Sequence, residues 1–132
     1  MIEEKGTYRG FIYEIVFQDL GHRCGYVGIP AGHKLYEVYY EDIPMDCHGG
    51  LTFSSFSNKL GPDIWWIGFD CNHLCDKIDI ESLRKYYGDK AANDRAKWSD
   101  MELRGVHLWT KEDCVEECKH MIDQIVNMED LL

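Results

Sequence analysis

The chain has 132 residues, 45% of them hydrophobic and 13% aromatic, enough to bury a core in one domain and too apolar for a disordered chain. Its net charge of −10, from 24 acidic against 14 basic residues, argues against direct binding to a nucleic-acid phosphate backbone, which needs a basic footprint. No apolar run reaches the roughly 20 residues that span a bilayer, and the opening MIEEKGTYRG lacks the apolar stretch of a secretory signal, so a cytoplasmic location away from membranes is expected.

Residues 7–18, TYRGFIYEIVFQ, are rich in β-branched and aromatic types and predict a strand. A turn at 18–22 leads to a second strand, RCGYVGI, over 23–29, stopped by Pro30-Ala31-Gly32. The stretch 33–46 is ambiguous and is expected as a loop with at most a short strand. LTFSSFS (51–57) and IWWIGFD (64–70) predict two more strands around a turn at 58–62, the second apolar enough to be covered on both faces. Asp79 or Ser82 caps a predicted helix over 80–87, and 88–105, polar and poorly patterned, is expected as a long excursion. Thr110 with Glu112 and Asp113 marks the start of a helix over about 111–128, where Val115, Cys118, Met121, Ile122, Ile125 and Met128 share one face. The expected fold is therefore one α+β domain, a mainly antiparallel sheet of four to five strands packed by a C-terminal amphipathic helix.

Two polar clusters flank the third and fourth predicted strands. Asp46-Cys47-His48-Gly49-Gly50 precedes one, and Asp70-Cys71-Asn72-His73-Leu74-Cys75-Asp76 follows the other. In an antiparallel hairpin the start of the first strand lies beside the end of the second, so the clusters should converge at one sheet edge. Two imidazoles and two carboxylates, His48, Asp70, His73 and Asp76, suit zinc or another divalent ion, which could activate water. Without metal, an Asp–His pair could act as general acid and base and Cys71 as nucleophile. Pure binding is the third option: Gly49 and Gly50 let backbone N–H groups approach a ligand, and Trp65 or Trp66 could stack on a ring. Structural roles compete with all three, His48 orienting the turn and Asp76 or Asp79 capping the next helix. His22, His33, His107 and His120 lack comparable company. Six cysteines in a chain without a signal read as free thiols or metal ligands, and Cys71/Cys75 with Cys114/Cys118 could form a four-thiolate zinc site.

GYVGIPAGHKLY (25–36), CHGGLTFS (47–54), WWIGFDCNHLCD (65–76) and VEECKHMIDQI (115–125) together resemble a widespread family of small uncharacterised proteins encoded largely by bacteriophages and prophages. The matches occur in order and cover about half the chain; residues 77–106 match little, which implies a variable excursion there. Lys34 stands where the family often has proline, and Leu74-Cys75 where it has a small residue and glycine. The resemblance implies a phage origin and a host bacterial cytoplasm. It marks His48, Gly49, Gly50, Asp70, Cys71, His73 and Asp76 as motif positions, without an established reaction for them. The functional expectation is an accessory protein that binds or sequesters a small polar or nucleotide-like ligand, countering host antiviral defence. Two alternatives stand beside it: a metal-dependent hydrolase using the same residues, and an acidic protein that blocks a host nucleic-acid-binding factor.

Overall fold

The structure is a computed structural model that describes residues 1–57, 61–102 and 107–129. Its frame is a five-stranded antiparallel sheet in the order β1-β2-β3-β5-β4, formed by β1 (Ile2–Tyr8), β2 (Phe11–Phe17), β3 (Arg23–Pro30), β4 (Phe53–Ser57) and β5 (Gly61–Asp70). Three helices follow: α1 (Ile80–Tyr87), α2 (Asp89–Glu102) and α3 (Lys111–Glu129). The fold is α+β, with the C-terminal helix packed on the sheet. No helix among the described residues is long and apolar enough to cross a membrane.

The stretch expected as one strand over 7–18 is the end of one strand, a turn and a second strand. Arg9 and Gly10 both have positive φ, 51° and 86°, so the chain reverses in two residues and Tyr8 pairs with Phe11. Tight hairpins need this left-handed backbone, but arginine is not a residue that announces it. β2 then alternates buried and half-buried along its whole length, as a strand with one core-facing side must.

The core lies between that side and α3. Phe11, Tyr13 and Ile15 of β2, Val27 and Ile29 of β3, and Ile67 and Phe69 of β5 face Cys114, Cys118, Met121, Ile122 and Ile125 of α3. The helix stripe thus begins at Cys114, with Val115 and Met128 at its half-buried margins. Thr110 caps the helix reciprocally: its Oγ1 accepts from the Asp113 N–H at 3.1 Å, and an Asp113 carboxylate oxygen accepts from the Thr110 N–H at 3.1 Å.

The region expected as an excursion contains two helices. Asp79 caps α1 by accepting from the Ser82 N–H at 3.0 Å, as the sequence predicts. α2 was not predicted, because it has almost no apolar stripe and buries Ala92 alone among the residues described there. Its support is Ala-rich helix propensity and the Lys90–Asp94 pair one turn apart, at 3.1 Å. A second small core of Phe17, Leu83 and Ala92 holds this pair of helices to the sheet.

Arg23, 5% exposed, joins the two parts. Its Nε and one terminal nitrogen bind the two carboxylate oxygens of Glu3 at 2.6 and 3.1 Å; that terminal nitrogen also reaches Ser82 Oγ (3.1 Å), and the other donates to Asp79 (2.9 Å) and the Trp109 carbonyl (3.1 Å). Every one of the guanidinium's N–H donors is therefore used. Burial works to raise the Asp79 pKa, but the bonds from Ser82 and Arg23 outweigh it and hold the carboxyl below its ordinary value.

Replacing Arg23 with Met should destabilise the protein by about 3–5 kcal/mol in urea unfolding, because Glu3 and Asp79 keep their charge and lose their partner. The stabilisation from Asp79 is present above the unfolded carboxyl pKa of about 4 and is lost as pH falls through the lower folded value. Melting temperatures measured from pH 5 down to 2 should accordingly fall less steeply in Arg23→Met than in the parent protein.

Candidate functional site

The β4–β5 hairpin sets the geometry. Phe53 pairs with Gly68, and the Thr52 N–H donates to the Gly68 carbonyl at 2.9 Å, so the segment before β4 passes beside the end of β5. Cys47 to Gly50 form a turn closed by the Gly50 N–H on the Cys47 carbonyl, 2.9 Å, with Gly49 at φ 70° in its third position. That conformation favours glycine, and so does the space: a Cβ on Gly49 would lie 2.2 Å from His73 Cε1. The turn is anchored from below by Gln124 of α3, whose amide accepts from the Asp46 N–H at 2.8 Å and donates to the Asp46 carbonyl at 2.6 Å.

The convergence centres on Asp76. His48 Nε2 lies 2.7 and 2.9 Å from its two carboxylate oxygens, and the His73 N–H and Nδ1 each lie 3.0 Å from Oδ2. The Asp76 side chain is only 4% exposed. Burial alone would raise its pKa, yet the hydrogen bonds from His48 and His73 bring it below the ordinary value. An ionised carboxylate only accepts, so its protonated neighbours are His48 Nε2 and His73 Nδ1. The second nitrogen of His73, Nε2, faces Asp70, with Oδ1 at 3.7 Å.

His48, His73 and Asp76 offer one ligand atom each within 4.8 Å of one another, a group able to hold a metal ion. Asp70, expected as a fourth ligand, stands outside this group. It borders a cavity of about 470 Å³ with His22, Tyr26, Phe53, Asn72 and His73, and its Oδ1 accepts from the Asn72 N–H at 3.0 Å.

Several expected participants are elsewhere. Cys71 is 3% exposed and faces the core, its sulfur 3.8 Å from Cys114. The neighbouring thiol and burial both raise its pKa, so it is no poised nucleophile. The four-thiolate site is not assembled either. Cys75 is exposed while Cys71, Cys114 and Cys118 are buried, and all six cysteines are free thiols. Strand alternation sends Trp65 and Trp66 to opposite faces. Trp65 lies on the α3 side, its indole N–H donating to the Val38 carbonyl at 2.9 Å; Trp66 shares the open face with Asp70.

Two residues of this region were not predicted. Trp109 stacks on His48, ring centres 4.1 Å apart and planes 29° from parallel. It arrives because His107 forms a bridge beside Asp76, with the Lys77 N–H on the His107 carbonyl at 2.9 Å. Its position immediately before the capping Thr110, where an apolar residue often fixes the entry to a helix, is the one sequence signal that marks it. His22 lines the cavity with a buried Nδ1 that has no partner among the described residues, and burial lowers its pKa.

Comparison with protein-family models, curated proteins and solved structures finds no match.

Gly49→Ala should cost about 1–3 kcal/mol of stability through backbone strain and displace the His73 ring. Thermal unfolding and the His73 imidazole resonances in an NMR spectrum would register both effects. An unchanged His73 signal would mean that the turn does not set the ring's position.

Proposed function

We propose that this chain is a phage accessory protein that binds a small polar, nucleotide-like molecule in the cavity beside segment 70–76, with segment 46–50 supporting His73 from behind, and withdraws it from host antiviral defence. The observation that carries the reading is the cavity of about 470 Å³ beside His73, whose walls alternate aromatic faces (Tyr26, Phe53) with hydrogen-bonding edges (His22, Asp70, Asn72). Its volume falls in the range of small-ligand sites, and its mixture of ring surface and a few convergent polar groups suits a planar polar molecule. The resemblance of the HGGLT and WWIGFDCNHLCD segments to phage proteins supports the biological setting.

A second reading, a metal-dependent hydrolase, is favoured by the close grouping of His48, His73 and Asp76. Two imidazoles and a carboxylate make an acceptable zinc donor set with a position left for substrate or water. An ion there would take the place of the protons that His48 and His73 share with Asp76. A bound divalent ion would supply Lewis acidity or an activated water, with Asp70 and His73 lining the adjoining cavity.

Native mass spectrometry of protein taken directly from infected or expressing cells should reveal a bound small molecule that is released unchanged on denaturation. His73→Ala should weaken its rebinding by about 10- to 100-fold, the loss of one to two good polar contacts. Release of a chemically altered product would overturn sequestration. For the hydrolase, elemental analysis should find about one divalent ion per chain, lost in His48→Ala; a metal-free protein that turns over no phosphoester after addition of zinc, manganese or magnesium would eliminate it.

A further inference from the structure

The sheet face opposite α3 is not the polar surface that a solvated side of an antiparallel sheet usually presents. Ile12, Val16, Tyr26, Phe53 and Trp66 all lie on it, by strand register and alternation. The Tyr26 ring passes over Gly68, where a Cβ would come within 2.5 Å of it, and meets Phe53 edge to face with centres 5.2 Å apart. This aromatic pair borders the cavity at His73 and also a second hollow of about 110 Å³ lined by Glu14, Val16 and Trp66. Trp66 and Glu14 also border a third hollow of about 290 Å³ on the same face.

One side chain here is out of balance. Trp66 is 3% exposed, and its indole N–H has no hydrogen-bond partner among the described residues. Buried donors are nearly always paired, so this one asks for an acceptor from outside the chain. Glu14, beside it, is a carboxylate that can only accept, and its neighbour Lys5 is 3.9 Å away on an exposed stem. A donor next to an acceptor-only group matches a planar edge that carries a carbonyl beside N–H groups. Guanine has that edge. Adenine does not, because it presents an amino donor where guanine has the carbonyl. The acidic Glu14 also disfavours placing a phosphate at this end.

We infer that Glu14, Tyr26, Phe53 and Trp66 form the ring subsite of the proposed ligand, and that it takes a guanine-type base whose sugar side extends toward Asp70 and His73. This rests on the small-ligand reading above and specifies it. The two ends are compatible in scale, since Trp66 and Asp70 are four residues apart on one strand, about 13 Å.

Isothermal titration with guanosine, adenosine and their monophosphates tests it. The wild-type protein should bind guanosine at least tenfold tighter than adenosine. Trp66→Phe keeps a ring and removes the N–H, Glu14→Gln removes the charge, and each should weaken guanosine at least tenfold. The Trp66 indole N–H resonance of the wild-type protein should shift when guanosine is added, a readout independent of whether Trp66→Phe folds. Equal binding of the two nucleosides, an unmoved indole signal, or guanosine affinity indifferent to Glu14→Gln would each overturn the subsite. If guanosine binding survives Glu14→Gln and vanishes only in His73→Ala, the ring subsite fails while the small-ligand reading stands. If no nucleoside or monophosphate binds, both fail.

Discussion

A buried cation organises the molecule. Arg23 opens β3, and its guanidinium ties β1 through Glu3, the start of α1 through Asp79 and Ser82, and the approach to α3 through the Trp109 carbonyl. An isolated charge in this position would be severely penalised for leaving water, so the surrounding groups have to be placed together or not at all. Tyr86 adds to the constraint by donating to the same Glu3 carboxylate at 2.6 Å. Such a network does less for the magnitude of stability than for its uniqueness, because no slipped arrangement of β1, α1 and segment 107–110 would satisfy every donor. The hydrophobic contact of α3 with the sheet supplies the bulk of the driving force.

The hub and the candidate site meet at one residue. The Trp109 carbonyl accepts from Arg23 while its ring stacks on His48. His48 in turn reaches Asp76, and Asp76 orients His73. The imidazole at the cavity is therefore held by a chain of contacts that runs back to the buried guanidinium of Arg23. Asp76, rather than Asp70, takes the central position because it is buried and surrounded by donors. Asp70, at the strand end, keeps a partly exposed carboxylate on the cavity side, where a ligand can reach it.

Much of this was legible in the sequence, and the reasons differ by region. β4 and β5 carry apolar and aromatic runs bounded by turns, and their antiparallel pairing alone brings Gly49 against His73. α3 was legible from its 3.6-residue stripe. Arg9-Gly10 hid a two-residue turn because the pattern on either side is equally strand-like, and α2 hid because propensity without amphipathicity leaves no periodic trace. Local reading marks Trp109 only as a helix-entry residue; its contact with His48, far away in sequence, arises through the bridge at His107. The orientation of Cys71 needed only strict alternation: it shares a face with Phe69 and Ile67, which are core residues, and so turns away from the Asp70 side.

That alternation also separates the duties of the sheet. On the α3 side Phe11, Tyr13, Ile15, Val27, Ile29, Ile67 and Phe69 of β2, β3 and β5 are packed at 0–8% exposure and are spent on stability. On the other side the same strands carry Glu14, Tyr26, Trp66 and Asp70, with no helix over them among the described residues. A face needed only for solubility would be served by short polar and charged side chains. This one instead lays the Tyr26 ring over a glycine and leaves a buried indole donor without a partner among the described residues, which lowers stability in the free protein. A binding partner that supplies the missing acceptor and covers the rings would recover that loss. The cost in the free state is thus the physical reason to place the proposed ligand on this face and not against α3.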